Sequence, residues 1–210
     1  MAAAWEPELS RFRALSRGDD RFVVEPVGVG LVEAAIGLTR CILRHEPSHA
    51  LLIGTCGAFE EAAPLGSVVT ASGASLVDRS LLARASELPP PMPSRAAFDA
   101  ALHDALVAAG ARSVHIANTV GITVDDALAA ELGGSGDVEH LEAFAFARAC
   151  AAAGLACGVA LGVANRVGSR GRDEWKATHE RASARAAEVA YDALAALVRT
   201  STTAPSPGRA

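Results

Sequence analysis

The stretch "GVANRVGSRGRDEW", residues 162–175, leaves a glycine-rich apolar run and drops into Asn165, Arg166, Arg170, Arg172, Asp173 and Trp175. So much hydrogen-bonding capacity directly after a strand-like run is suited to gripping a small polar ligand. Glu139 and Glu142 stand three apart, which on a helix puts both near one face. As a solvated pair they would favour the positive end of a helix dipole. Glu142, however, lies within "LEAFAFA", and a carboxylate buried among apolar residues must find donors, such as the paired hydroxyls of a ribose. Glu6 and Glu8 flank Pro7, a pattern that also describes a plain helix start with proline in the first turn. Gly28 and Gly30 in "GVGLVEAA" fit either a tight turn or an anion cradle at a helix start. The third glycine of the dinucleotide fingerprint is missing. The six histidines show no HxH or HExxH spacing, so no metal site is expected. No cofactor is expected either.

Bulk properties narrow the partner. A chain of 210 residues, half of them apolar, can bury roughly 70 % of its unfolded surface in one core. The formal charge of −5, with no basic stripe, argues against a grip on nucleic acid and for a small-molecule partner. Apolar stretches are broken well before about 18 residues, so no membrane span is expected. The first residues do not read as an export signal, which makes the expected location cytoplasmic. Cys41, Cys56, Cys150 and Cys157 have no CxxC spacing and sit in apolar company, as structural thiols do.

The elements that must position these groups alternate. "FVVEPVGV" (22–29) reads as a strand, followed by a helix with Leu31, Ala34, Ala35, Leu38 and Ile42 on one face. "HALLIGTCGAF" (49–59) reads as a strand covered on both sides that ends in a small-residue turn. "GSVVTASGASLVD" (66–78) reads as a further strand, residues 96–110 as a helix, and "SVHIANTVGIT" (113–123) as a strand or two. A helix starting near Glu139 precedes the strand "LACGVALGV" (155–163), and a long helix covers 174–199. The expected fold is a three-layer α/β/α sandwich around a mainly parallel, mixed sheet, over residues 1–199 as one domain. Residues 200–210 have the composition of a disordered tail. In such folds ligands gather beyond the carboxyl ends of strands. That is where Glu6 and Glu8, Thr55 and Cys56, Thr119 to Thr123, and Asn165 fall.

Taken in order, "AWEPEL", "GVGLVEAA", "IGTCGAF", "LGSVV" and "EHLEAFAFA" resemble the nucleoside phosphorylase and nucleosidase superfamily, from Ala3 to about Leu197. Within it, "ANRVGSRGRDEW" is most similar to the futalosine hydrolases, whose Ser-Asn-x-Val segment ends in Trp. The resemblance implies that Glu8 activates water, Asn165 faces N7 of a purine and Glu142 holds the ribose hydroxyls. It implies too that Leu141 packs under the sugar, and that Thr55, Cys56 and Gly57 line the sugar and water site. Ile122 would lie near the base. One of Arg170 and Arg172 would meet a carboxylated substituent; Arg170 is the candidate carried forward. Ser67 stands where Asp is usual, and His140 where a carboxylate often sits. Many phosphorylases place an arginine for phosphate where this chain has Leu52, so water is the expected nucleophile. Arg40 or Arg44 leaves phosphorolysis open. The alternatives are a nucleosidase for methylthioadenosine or adenosylhomocysteine, and a non-catalytic nucleoside-binding protein. The family's habit of completing sites at subunit contacts implies a homo-oligomer.

Overall fold

The computed structural model describes residues 1–60 and 62–203. In chain order the elements are β1 (Ala2–Ala3), a 3₁₀ turn (Glu6–Leu9), α1 (Ser10–Leu15), β2 (Glu25–Pro26), α2 (Leu31–His45) and β3 (His49–Ala58). β4 (Val68–Thr70), β5 (Gly73–Leu76), α3 (Arg79–Leu82), β6 (Arg95–Ala97) and α4 (Ala100–Ala108) follow. The chain ends with β7 (Arg112–Ser113), β8 (Ile116–Asn118), α5 (Asp126–Gly133), β9 (Val138–His140), α6 (Ala143–Ala152), β10 (Ala156–Arg166) and α7 (Gly171–Thr203).

The strands form one mixed sheet in the order β6-β5-β8-β9-β3-β10-β4-β7, with β1 joining β3 and β2 joining β1. β3 and β10 run parallel along almost their whole length, from His49↔Ala156 to Ala58↔Arg166. β4 and β9 join them antiparallel. β4 and β5 are separated by two residues yet lie near opposite ends of the order, so the sheet curls back on itself.

Two apolar layers flank it. On one side Leu52, Cys56, Val159, Leu161 and Val163 pack with α2 and α6 residues such as Leu38 and Phe146. On the other, Leu51, Ile53 and Ala160 pack with Phe12, Leu106 and the alanine face of α7. Continuous burial along β3 and β10 is what a strand covered on both faces requires, and their unbroken apolar runs follow from it. Glycine allows the close approach of α7: a Cβ on Gly162 would lie 2.1 Å from the Ala182 carbonyl oxygen.

Several local expectations change. The strand over 22–29 shrinks to Glu25–Pro26, an edge pair with β1, because Pro26 has no N–H and the glycines after it favour a turn. Residues 66–78 make two strands rather than one. The helix expected near Glu139 starts at Ala143 instead. Val138–His140 form β9, held between β3 and β8, so tertiary pairing overrides the helical spacing of Glu139 and Glu142. α5 and β9 were not foreseen. α7 runs on to Thr203, and residues 204–210, where the rest of the expected tail falls, lie outside the described residues. No helix among the described residues is long and apolar enough to cross a membrane.

Candidate active site

The 3₁₀ turn after β1 carries Glu8 to the end of β3. Pro7 starts the turn and Glu8 is buried, 9 % exposed, while Glu6 points to solvent beside Arg13. The Thr55 hydroxyl donates to Glu8 Oε1 at 2.9 Å. Burial pushes the Glu8 carboxyl up to about 7. The charge of Glu142 adds to this and the Thr55 hydrogen bond opposes it. Gly54 makes the room: a Cβ there would lie 3.0 Å from Glu8 Oε2.

Thr55 is itself an acceptor. Trp175, near the start of α7, donates its indole N–H to Thr55 Oγ1 at 3.1 Å. The indole packs on His179, with ring centroids 4.1 Å apart, and on Trp5 at 6.1 Å. The sequence marks Trp175 only as the end of the polar segment after β10; its hydrogen bond to Thr55 was missed.

Glu142 reaches the same region from the other core layer. It is the residue before α6, it is buried, and its Oε1 accepts from the Gly30 backbone N–H at 2.7 Å. The glycine turn that opens α2 therefore does bind an anion, one supplied by the chain itself. His140 Nδ1 accepts from the backbone N–H groups of Glu142 and Ala143 at 3.2 and 3.1 Å. Burial holds this imidazole below its ordinary pKa. Its Nδ1 lone pair is thereby committed, so the nearby Glu142 Oε2, at 3.3 Å, gains no proton from it. Asn118, fully buried, fixes this corner by donating to the carbonyls of Thr119 and Leu141 and accepting from Phe144 N–H. Leu141 is half-buried there.

Asn165 follows a β-bulge. Val163 pairs with Cys56 and Asn165 with Gly57, which leaves Ala164 as an extra residue. The bulge puts Asn165 on the Thr55 face of the sheet. Its amide nitrogen lies 2.9 Å from where a Cβ on Gly57 would sit and donates to the Arg166 carbonyl at 2.8 Å. Cys56 points to the opposite, α2 and α6 layer, where burial raises its thiol well above the ordinary range.

Other expected positions lie apart from this group. Glu139 is no solvated partner of Glu142: it sits buried on β9 and accepts from both the Thr119 and Thr123 hydroxyls, at 3.1 and 2.5 Å, and from Thr123 N–H. Its role is to pin the loop that carries Ile122, whose side chain stands 67 % exposed between exposed Val120 and Val124. Arg170 is on the surface, 81 % exposed and 3.8 Å from Glu174. A hollow of about 230 Å³ reaches Glu8 from the α7 side, between Trp5, Arg11, His179 and Glu180, and includes neither Glu142 nor Asn165. A larger one, about 600 Å³, lies away from the site by Ser75, His115 and Asp137. Glu25, Cys41 and His45 bring one ligand atom each within 4.8 Å, a grouping the spacing rules did not reveal. There Glu25 is paired with His45 at 3.0 Å and Arg44 at 3.5 Å.

The site thus places two buried carboxylates, one titrating at about 7, near the small-residue end of β3 and a side-chain amide. That set can polarise water, accept from hydroxyls and donate to a leaving group. Comparison with known proteins gives the same location in family space. The model of the phosphorylase superfamily matches residues 8–199. Futalosine hydrolase of Thermus thermophilus is 31 % identical over 179 residues, which span 80 % of this chain and 79 % of that one. Among solved structures, futalosine hydrolase of Helicobacter pylori superposes with a TM-score of 0.84 at 14 % identity, covering 93 % of this chain and 96 % of the other. The 5'-methylthioadenosine/S-adenosylhomocysteine nucleosidase of Neisseria meningitidis does so with a TM-score of 0.80 at 19 % identity, covering 93 % and 97 %. The chain belongs to the phosphorylase superfamily.

Proposed function

We propose that the protein is an N-ribosyl hydrolase that splits a purine nucleoside, with futalosine as substrate and hypoxanthine and dehypoxanthine futalosine as products, in menaquinone biosynthesis. The observation that carries this reading is the pairing of buried Glu8 with Thr55 beside Glu142. Breaking an N-glycosidic bond moves positive charge onto the ribose and negative charge onto the departing base, so anions belong on the sugar side and donors on the base side. Glu8 takes a proton from water. Glu142 Oε2 accepts from a ribose hydroxyl and balances the oxocarbenium charge, its Oε1 being held by Gly30. Asn165 has an N–H to spare after its bond to Arg166 and donates to the leaving purine. That one N–H can be shared between the N7 and O6 acceptors of a 6-oxopurine, whereas adenine sets a donor beside N7, which favours hypoxanthine over adenine. The 31 % identity to a futalosine hydrolase supports the same choice.

Leu52, buried in β3, offers no donor to phosphate, which favours water as nucleophile. Thr55 and Gly57, with the backbone of Cys56, lie under the sugar near the end of β3, with Leu141 beside it, and Ile122 on its exposed loop packs on the base of a bound nucleoside. Arg170, exposed, is available to a carboxylated tail. The active form is a homo-oligomer. Exposed Val29, Val32 and Ile36 on the α2 side, and Val120, Ile122 and Val124, support an apolar contact between copies.

The test is incubation with futalosine, inosine and methylthioadenosine, with and without phosphate, and identification of the products. Hypoxanthine released from futalosine without phosphate is expected, and Glu8→Gln should abolish release while binding persists. Adenine from methylthioadenosine alone, or release only with phosphate, overturns the substrate or the nucleophile. Saturable binding without any release makes the chain a nucleoside-binding protein.

A further inference from the structure

The contacts Trp175 Nε1 to Thr55 Oγ1, 3.1 Å, and Thr55 Oγ1 to Glu8 Oε1, 2.9 Å, form a chain that runs from the indole to an ionised Glu8. An indole N–H donates and cannot accept, and a hydroxyl has a single proton. With one Thr55 lone pair taken by the indole, the Thr55 proton is left for Glu8 whenever Glu8 is ionised; only a protonated Glu8 can reverse that step. We propose that Trp175 is a positioning residue for Glu8: it turns the Thr55 hydroxyl so that its proton lies on Oε1, favours the carboxylate over the carboxylic acid, and leaves Oε2 to handle water. This rests on the reading of Glu8 as the group that activates water.

The arrangement answers a specific difficulty. Burial and Glu142 both favour a neutral Glu8, and the Thr55 hydroxyl is the side chain that opposes them. The charged and titratable groups around Glu8 are Glu142 at the start of α6, Cys56 on β3, and Arg11, His179 and Glu180 around the adjoining hollow. None of these makes a direct hydrogen bond to the carboxylate; the backbone of Thr55 and Trp5 favours its charged form too, and the Thr55 hydroxyl is the larger opposing contribution, so holding that hydroxyl matters. Alone, a threonine hydroxyl turns freely between donor and acceptor roles. The indole cannot swing away, because His179 packs edge-on against it at 67° and Trp5 covers it from the 3₁₀ turn. Packing and donation are therefore separable: Trp175→Phe keeps an aromatic ring against His179 and Trp5 and removes the N–H.

The experiment compares pH profiles of kcat and KM for base release in the wild type, Trp175→Phe, Thr55→Ser, Thr55→Val and the Trp175→Phe/Thr55→Val double variant. Trp175→Phe should lower kcat about three- to tenfold, keep KM within about twofold and move the acidic limb to higher pH. Thr55→Ser should retain the wild-type limb, and Trp175→Phe should cost nothing more once Thr55 is valine. A Trp175→Phe profile that superposes on the wild type, or losses that multiply in the double variant, overturns the proposal. A second readout needs no turnover. The Trp175 Nε1–H resonance, assigned by its loss in Trp175→Phe, should shift with pH as Glu8 ionises and stop shifting in Glu8→Gln. A titrating resonance in a protein that releases no base keeps the relay and removes the hydrolase reading. A resonance insensitive to pH in a protein that does release base removes the relay.

Discussion

Gly30 N–H donates to Glu142 Oε1 across 2.7 Å, tying the turn that opens α2 to the start of α6 over a separation of 112 residues. In Glu142→Gln the amide oxygen still accepts from Gly30, so the link between α2 and α6 is kept and the charge is lost. KM should rise about 10- to 100-fold, as expected for a hydrogen bond to a charged group, with little change in thermal midpoint. Steady-state kinetics on the wild-type substrate beside a melting curve separates the two effects.

Glu8 makes stability depend on pH in a defined direction. Its folded pKa, about 7, lies above the ordinary 4.5, so between these values the native state holds a proton that the unfolded chain has lost. The contribution is fully present below about pH 4.5 and is lost as pH rises through about 7. Glu8→Gln should therefore stabilise the protein at pH 8, by up to about 3 kcal/mol, and change it little at pH 4.5. Urea titrations at the two pH values measure this difference; equal effects at both would show that Glu8 titrates normally.

Thr123→Val removes the 2.5 Å donor to buried Glu139 and keeps the side-chain shape. Stability should fall by about 1.5–3 kcal/mol, the cost of a hydrogen bond to a buried charged acceptor. The 119–123 loop should gain amide hydrogen exchange before the rest of the chain does.

Asn165→Asp replaces a donor facing the leaving base with an acceptor. The ratio of kcat/KM for a 6-oxopurine nucleoside to that for a 6-aminopurine nucleoside should fall at least about tenfold, since one good base contact is worth about 1–3 kcal/mol. Competition between futalosine and methylthioadenosine in one reaction reads this ratio directly.

Gly162→Ala would drive a methyl group into the Ala182 carbonyl, which stands 2.1 Å from the ideal Cβ position. Because that obstacle is backbone, α7 must move. A loss of about 3 kcal/mol is expected, visible as a lower denaturation midpoint with an unchanged slope.

The layers of the fold were legible where burial writes a long signal. β3 and β10 are continuous apolar runs, and the alanine face of α7 marks a helix lying close on a sheet. Short strands were not legible: β9 is three residues long and takes its conformation from β3 and β8, so Glu139 looked like a helical neighbour of Glu142. At the site, polar residues directly after strands drew attention to Glu8, Thr55 and Asn165, apolar company drew it to Glu142, and the family resemblance added Gly57 and the roles. Trp175 was missed as a donor to Thr55, and Asn118 and His140 as caps, because their partners are fixed only by the folded path. Arg170 and Ile122 came from resemblance alone, and both face outward in this chain.

The extra residue at Ala164 has a consequence for how this strand tolerates change. Side chains alternate sides along β10 until the bulge and then resume with opposite parity, so odd numbers such as Leu161 and Val163 belong to one layer while Asn165 belongs to the other. Regular pairing with every residue kept would set Ala164 opposite Gly57 and Asn165 opposite Ala58, turning the amide into the oily α2 and α6 layer, whereas deleting Ala164 would leave Asn165 opposite Gly57. The bulge therefore sets which way the amide faces, and a change that flattens it while keeping every residue acts as an inside-out switch.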